Sequence, residues 1–280
     1  MIRFEEGKFA TLEVSGEPIH VHYYELGETS RESVIFVQTG GAATCAYMCW
    51  YLNLEPFAEA RYRVLAPDAA GFGLTKRGSA GGEKGGVNPT KFLLAFMNQA
   101  GIERAHFVGN SAGSMTITRL AMEYPEKVKS LILTGGEPRI ETEESRTIAK
   151  TLGQTQRMNF VREMLSRPQV GFEDMRKATA DFFYDPDHPR IDEVAQMRLR
   201  IISRPGVLET EREHAFKQVE RGRSNVESSD LAKIQAPVYL IHGRDERFFY
   251  SKEVAPILLD CALKACQGIP NCSCTVLSHC

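Results

Sequence analysis

Short apolar runs alternate along the chain with longer segments that carry apolar residues at helical spacing. The runs are partly β-branched and end in turn residues, which is typical of buried parallel strands. They are SVIFVQTG (33–40), YRVLAPDAAG (62–71), AHFVGNS (105–111), SLILTGG (130–136) and APVYLIHG (236–243). Helical patterns at 89–101 and 113–128 lie between them, bounded by Pro or Gly. This alternation predicts βαβ units and a mostly parallel sheet flanked by helices.

The two ends of this region have different patterns. Before it, the alternating segment FATLEVSGEPIHVHYYE (9–25) predicts a hairpin that turns at SGEP. After it, amphipathic helix patterns such as EESRTIAKTL, EDMRKATADFFYD and IDEVAQMRLRIIS follow one another without an apolar strand. An all-helical insertion in an α/β chain is typical of a lid. We therefore expect a core formed by residues 1–136 and 230–280, with a helical lid at 137–229.

Composition narrows the class of protein. With 280 residues, 42% of them apolar, the chain can bury one sizeable core or a core with a subdomain. The 34 Lys and Arg residues nearly balance the 36 Asp and Glu residues. The chain therefore has no strong net charge that would favour binding to nucleic acid or to a membrane surface. The sequence has neither an apolar leader nor a spanning segment. We expect a cytoplasmic protein with a small-molecule partner, and we leave a homodimer open.

The seven cysteines do not form a recognisable metal or disulfide pattern. Two stand near the front of the chain and five within the last twenty residues. Neither the Cys-x-x-Cys pairs nor the accompanying histidines of zinc sites are present, and a chain of this length does not depend on disulfides for its stability. We expect free thiols and no bound metal.

The stretch FVGNSAGS (107–114) contains the strongest chemical signal in the sequence. Gly109-Asn110-Ser111-Ala112-Gly113 follows a predicted strand and opens a predicted helix, which is the context that a G-x-S-x-G nucleophile elbow requires. Ser111 also gains the positive end of that helix. We interpret Ser111 as a nucleophile, and a serine nucleophile needs a base within hydrogen-bond reach.

With these motifs the chain resembles the α/β-hydrolase fold family. It is more narrowly similar to the meta-cleavage product hydrolases, which cut carbon–carbon bonds in ring-fission products of aromatic catabolism. The similar stretches run nearly end to end and include QTGGAATCAYMCWYLNLEPFAEARYRVLAPDAAGFG, GNSAGS, MEYPEKVKSLILTGG, FFYDPDHPRIDEVAQMRLRIISRP and IHGRDERF. The resemblance implies an α/β-hydrolase fold with a helical lid, and hydrolysis without a cofactor.

The resemblance also implies roles for individual residues. The backbone N–H groups of Gly41 and Ala112 would form an oxyanion hole, which stabilises charge on the attacked carbonyl oxygen. Gly40 and Asn110 would line the site. Arg198, in the lid stretch, falls where the family has an arginine that holds the substrate carboxylate, a task that suits a planar two-pronged cation.

Two positions depart from the family pattern. Gln38 stands where a histidine often precedes the oxyanion loop, and Cys49 stands where many members have a carboxylate-binding asparagine. Cys49 is thus a candidate substrate-binding residue. Both departures bear on the substrate more than on the fold.

The acid and the base of the triad are expected after the last two strands. In IHGRDERF, the family spacing assigns the acid to Glu246, with Asp245 as the alternative, since the acid only orients the imidazole and stabilises its cation. The last strand, CTVLSHC, is similar to a strand that leads to a Cys-Gly-His-Trp stretch in the family. We therefore expect the catalytic histidine just beyond Cys280, with His279 as the alternative.

These observations favour a serine-dependent hydrolase that cleaves a carbon–carbon bond in a 2-hydroxy-6-oxo-dienoate, a small-molecule carboxylate. A carboxylesterase or lactonase is the second interpretation, which Gln38 and Cys49 permit. A catalytically inactive binding protein is the third, because the sequence printed here ends before the expected histidine. Fold alone does not decide among these functions.

Overall fold

The computed structural model describes residues 4, 6–75, 87–136, 138, 143, 156–217, 228–246 and 255–279. They fall into two units. The first lies within Met1–Glu137, Ala232–Leu240 and Ile269–Ser273, and the second lies within Pro138–Leu231, Ile241–Gly268 and Cys274–Cys280. The assignment of 137–229 as a lid stays a prediction.

An eight-stranded sheet is the main architectural feature, and it has the strand order β1-β2-β4-β3-β5-β6-β7-β8. The strands are β1 (Lys8–Val14), β2 (Glu17–Leu26), β3 (Ser33–Val37), β4 (Arg63–Pro67), β5 (Ala105–Asn110), β6 (Val128–Thr134), β7 (Val238–Gly243) and β8 (Cys272–Leu277). The predicted hairpin is present as β1 and β2, which pair antiparallel from Lys8 opposite Tyr23 to Val14 opposite Glu17. Strand β2 pairs antiparallel with β4. The pairs β3–β4, β3–β5 and β5–β6 are parallel.

The helices of the first unit surround these parallel strands. They are α1 (Ala46–Trp50), α2 (Leu54–Glu59), α3 (Pro89–Gln99) and α4 (Ala112–Glu123). Helix α3 begins at a proline, and the side chain of Asn88 caps it by accepting a hydrogen bond from the N–H of Lys91 at 3.0 Å. Helix α4 ends five residues earlier than the pattern predicts because Pro125 follows. The sequence pattern did not indicate α1 and α2, which are only about one turn and a half long.

The second unit contains the described helices of the predicted lid. They are α5 (Gln156–Ser166), α6 (Phe172–Ala180), α7 (Ile191–Ile202), α8 (Val207–Lys217) and α9 (Ser228–Leu231), and α10 (Ala255–Gly268) belongs to the same unit. Helix α6 is shorter than its pattern because turns begin after Ala180. Of the predicted helical pattern EESRTIAKTL (143–152), residues 144–152 lie outside the described residues.

The core of the first unit lies on both faces of the central strands. Ile35, Phe36, Leu65, Phe107 and Leu131 are all at most 1% exposed, although they come from four different strands. Burial on both faces explains why these strands are continuous apolar runs in the sequence. In the part of the chain that the structure describes, no helix combines the length and apolarity that a membrane span requires.

Candidate active site

Ser111 lies on the sharp turn between β5 and α4, as the sequence predicts. Its backbone has φ 52° and ψ −113°, a conformation that L residues rarely adopt and that costs about 1–3 kcal/mol. The turn is held by two backbone hydrogen bonds. The N–H of Ser111 donates to the carbonyl of Thr134 at 2.9 Å, and its carbonyl accepts from the N–H of Met115 at 3.2 Å. The turn therefore holds the half-buried Ser111 in a strained backbone conformation.

Three glycines allow the backbone to pack closely around this turn. A Cβ at Gly109 would lie 2.7 Å from the backbone nitrogen of Ser114, and one at Gly136 would lie 2.5 Å from the Cα of Ser111. A Cβ at Gly113 would lie 2.2 Å from the carbonyl oxygen of Val37. All three neighbours are backbone atoms that cannot move aside cheaply. The two glycines of the elbow motif are thus required by packing, and Gly136 adds a third contact that the motif does not include.

We expect Gly113→Ala to lower the free energy of unfolding by about 1–3 kcal/mol, because the new methyl group overlaps the end of β3. Urea denaturation measures this change. The control is Gly171→Ser, since Gly171 has φ −85°, its nearest neighbour is Asp174 Oδ2 at 3.8 Å, and serine suits the N-cap of α6. Equal stability of the two variants would contradict the packing argument.

Polar groups at the ends of β5 and β6 fix the base of the elbow. The Asn110 amide donates to Thr134 Oγ1 at 3.0 Å, and Thr134 Oγ1 donates to the carbonyl of Gly109 at 3.1 Å. The buried Ser114 hydroxyl donates to the same carbonyl at 2.7 Å and accepts from the Thr134 N–H at 3.1 Å. Asn110 is therefore positioned beside Ser111. Thr134 and Ser114 are functional supports that sequence reasoning missed, since a Thr at a strand end carries no distinctive signal.

The loop from residue 38 to 46, which we call the oxyanion loop, lies against the first turn of α4. A Cβ at Gly40 would lie 3.3 Å from the Cβ of Ala112, so the loop passes close to the elbow. Gly41 has φ 121°, which favours glycine. Ala112 is the first residue of α4, and the N–H groups of a first helical turn have no partner within the helix. The structure thus brings Gly40, Gly41, Asn110, Ser111 and Ala112 together in one unit.

Cys45, at the N-cap of α1, and Cys49, near its end, have different exposures. Cys45 is fully buried and its sulfur accepts a hydrogen bond from the Met48 N–H at 3.3 Å. Burial raises the pKa of the Cys45 thiol well above its usual range, with the charge of Asp68 as the next cause. This thiol is therefore protonated at neutral pH and is a poor nucleophile. Cys49, the candidate substrate-binding residue, is half-buried one turn later.

Arg198 is a buried cation within the second unit. It lies on α7, is 2% exposed, and donates from Nη1 to Thr179 Oγ1 at 2.9 Å. Its guanidinium carbon lies 5.0 Å from the centre of the Phe182 ring. A hydroxyl and a ring face thus help to orient the guanidinium. A buried arginine is unusual, and its burial does not fit a solvated helix face.

The turn after β7 also belongs to the second unit, and it carries both candidate acids. Asp245 Oδ2 accepts a hydrogen bond from the backbone N–H of His279 at 2.9 Å, and Asp245 also pairs with Arg244 at 3.3 Å. The His279 N–H, followed by the Arg244 hydrogen bond, lowers the pKa of Asp245 below its usual value. Glu246 is the next residue, is half-buried, and donates its own N–H to the carbonyl of Gly243 at 3.3 Å.

His279, the alternative base, follows β8 in the same unit. Its backbone has φ 60°, and its ring Nδ1 lies 3.5 Å from the hydroxyl of Tyr184. The N–H of Arg244 donates to the carbonyl of Leu277 at 2.8 Å. Together with the Asp245 contact, this bond holds the turn that follows β8 beside the turn that follows β7. Cys280 and any residue beyond it lie outside the described residues.

Comparison with known proteins agrees with this architecture. The model of the alpha/beta hydrolase fold family matches residues 32–258. The chain therefore belongs to the alpha/beta hydrolase fold family, and it is an enzyme of the hydrolase class. The predicted fold class, a mostly parallel sheet flanked by helices, is confirmed.

Two individual relatives indicate a narrower class of hydrolase within this family. A 2-hydroxy-6-oxo-6-phenylhexa-2,4-dienoate hydrolase of Comamonas testosteroni is 30% identical over 272 residues, which are 93% of this chain and 84% of the relative. A 2-hydroxy-6-oxononadienedioate/2-hydroxy-6-oxononatrienedioate hydrolase of Paraburkholderia phymatum is 28% identical over 98% of this chain and 88% of its own length. The resemblance to meta-cleavage product hydrolases is thus confirmed.

A solved structure supports the same fold. A mutant meta-cleavage product hydrolase from Pseudomonas fluorescens IP01, complexed with acetates, superposes with a TM-score of 0.74. It covers 97% of this chain and 89% of its own, at 23% identity.

Proposed function

We propose that this protein is a serine hydrolase that cleaves a carbon–carbon bond in a 2-hydroxy-6-oxo-dienoate. The observation that carries the proposal is the strained Ser111 elbow, against which a glycine-rich loop is packed. The names of the relatives supply the substrate class, because both curated relatives act on acids of this kind. The test is the loss of colour when a coloured ring-fission acid is hydrolysed.

The reaction proposed for the site needs no metal or cofactor. The dienol substrate is first ketonised, and the carbonyl next to the scissile bond is then attacked by Ser111 or by water that the triad activates. One water is consumed overall, its hydroxyl going to the acyl fragment and its proton to the dienoate carbon. The N–H groups of Gly41 and Ala112 stabilise the oxyanion, with about 3–4 kcal/mol expected for each donor.

Arg198 is the residue that we propose binds the substrate carboxylate. Support comes from its burial and from its orientation by Thr179 and Phe182, which leave a fixed cation instead of a mobile surface side chain. A fixed guanidinium can bind a carboxylate through two parallel hydrogen bonds. The helices of 137–229 would then act as the lid that covers the bound acid.

Arg198→Ala should raise KM for a dienoate acid about 10–100-fold, since hydrogen bonds to a charged group contribute about 1.5–3 kcal/mol. KM for a neutral p-nitrophenyl ester should change less than about threefold, because that substrate has no carboxylate. Steady-state kinetics on both substrates measure the difference. The control is Arg176→Ala, which removes an exposed arginine paired with Asp192 in the same unit. Equal effects of Arg198→Ala on the two substrates would contradict the proposed role.

For the triad we propose Glu246 as the acid and a histidine just beyond Cys280 as the base. The Asp245 carboxylate accepts the His279 N–H and pairs with Arg244, so Asp245 has a holding role between the two turns, and the family spacing assigns the acid to Glu246. The hydrogen bond from the His279 N–H to Asp245 holds the end of β8 near the turn that follows β7. The chain after β8 therefore starts close to Glu246. His279 itself has its ring beside Tyr184.

An ester or lactone hydrolase is the second candidate. Gln38 and Cys49 permit it, because neither is the residue that the family often has at its position. Turnover of p-nitrophenyl esters without turnover of a ring-fission acid would support this function in place of the first.

A further inference from the structure

The carboxylate of Asp68, directly after β4, has three hydrogen-bond partners near the candidate active site. It is 1% exposed. Its Oδ1 accepts from the N–H of Ala46 at 2.8 Å, and its Oδ2 accepts from the N–H of Leu74 at 2.9 Å. The same Oδ2 lies 2.9 Å from Nδ1 of His22, which is also fully buried. A His22 ring with its proton on Nδ1 can donate to this oxygen, because a carboxylate oxygen accepts hydrogen bonds.

These bonds connect the oxyanion loop to the rest of the unit. Ala46 is the last residue of that loop and the first of α1. Gly73 donates its N–H to the carbonyl of Thr44 at 3.2 Å, and a Cβ at Gly73 would lie 2.2 Å from Asp68 Oδ2. The segment after β4 therefore wraps tightly around the Asp68 carboxylate while it binds the end of the oxyanion loop.

The other end of the oxyanion loop is tied to the same segment. The buried Gln38 side chain accepts the N–H of Ala69 at 3.2 Å through its Oε1. Within the loop, the buried Thr44 hydroxyl lies 3.0 Å from the carbonyl of Gly41 and 3.3 Å from that of Thr39. Gly41 is thus held between a fixed start at Gln38 and a fixed end at Ala46.

We propose that Asp68, supported by His22, is a positioning residue that fixes the oxyanion loop and thereby sets the position of the Gly41 N–H. The inference rests on the proposed function, in which that N–H stabilises the oxyanion. Asp68 does not touch the substrate in this account. Its effect reaches the reaction through the backbone of residues 41–46, where a small displacement changes the distance between the donor and the oxyanion.

Asp68→Asn is the first test, because it keeps the size of the side chain. An amide has one acceptor oxygen, so its NH₂ group must face either the Ala46 N–H or the Leu74 N–H, and one of these bonds is lost. We expect kcat to fall about 10–100-fold while KM changes less than about threefold, since complete removal of an oxyanion donor costs about 10²–10³-fold. Affinity for phenylboronic acid, which forms a tetrahedral serine adduct, should fall in parallel with kcat.

A pair of His22 variants keeps the test decisive even where Asp68→Asn folds poorly. His22→Asn places an amide NH₂ near the position of Nδ1 and retains a donor to Asp68, whereas His22→Leu removes the donor. We expect His22→Asn to retain most of kcat and boronate affinity, and His22→Leu to lose about as much of both as Asp68→Asn.

Leu12→Ala is the stability control, because Leu12 is a buried core residue of β1 in the same unit. It should lower the melting temperature without changing kcat when the assay is run well below melting. If Asp68→Asn and His22→Leu behave like Leu12→Ala, with normal kcat and boronate affinity, the positioning role is wrong. If Ser111→Ala leaves hydrolysis intact, the proposed function fails instead, so the two failures are distinguishable.

Discussion

Replacing Ser111 by alanine is expected to lower kcat for ring-fission acid hydrolysis by on the order of 10⁶-fold in the full-length protein. A triad acts as a unit, so removal of its nucleophile leaves only the effects of the oxyanion hole and of binding. The circular dichroism spectrum should be unchanged, since the serine hydroxyl is not needed for the turn, which is held by the backbone bonds to Thr134 and Met115. Retention of near-parental turnover would exclude Ser111 as the nucleophile.

Ser111→Gly separates the strain of the elbow from its chemistry. Glycine adopts φ 52° and ψ −113° with little strain, so this variant should be as inactive as Ser111→Ala but more stable by up to about 1–3 kcal/mol. The comparison uses urea denaturation of the two inactive variants. A glycine variant that is no more stable than the alanine variant would show that the serine backbone is not strained.

The second large loss of activity is expected in the turn that follows β7, which carries Glu246. Glu246→Gln should lower kcat by about 10³–10⁴-fold, because an amide neither stabilises the imidazolium nor maintains the required tautomer. Steady-state kinetics and a pH profile of kcat/KM measure this effect, and the acidic limb, which reports deprotonation of the histidine base, should shift.

Two variants serve as matched controls, one in the same turn and one in the turn that follows β8. Asp245→Asn retains a side-chain oxygen that can accept the His279 N–H, and His279→Ala retains that N–H itself. Each should lower kcat less than about tenfold. A large loss of kcat in Asp245→Asn together with a small loss in Glu246→Gln would show that Asp245 is the acid of the triad and Glu246 is not. A loss of about 10³-fold in His279→Ala would make His279 the base.

Much of the fold is predictable because burial produces regular sequence patterns. The central strands are covered on both faces, so β3 and β4 are continuous apolar runs that identify a parallel sheet. The hairpin of β1 and β2 has one more exposed face and shows as alternation. The sequence pattern did not predict helices α1 and α2, because five or six residues are too few to show a helical period of about 3.6 residues.

The candidate site is only partly predictable, for a different reason. Ser111 and its glycines are identifiable because the elbow is local, with strand, turn and helix contiguous in the sequence. The support of the oxyanion loop is not local. His22, Gln38 and Asp68 come from three separate strands or strand ends. The bond between His22 and Asp68 joins positions 46 residues apart, and the bond between Gln38 and Ala69 joins positions 31 residues apart. No spacing rule relates such residues before the chain is folded.

The central claim is that Ser111 drives cleavage of a carbon–carbon bond in a dienoate acid. The most direct measurement follows the visible absorbance of 2-hydroxy-6-oxo-6-phenylhexa-2,4-dienoate with the full-length protein and with Ser111→Ala, and identifies the products by mass spectrometry. The account predicts loss of colour and formation of benzoate by the unmodified protein, with neither in the variant. Hydrolysis of p-nitrophenyl esters with no loss of dienoate colour, or loss of colour that persists in Ser111→Ala, would contradict it.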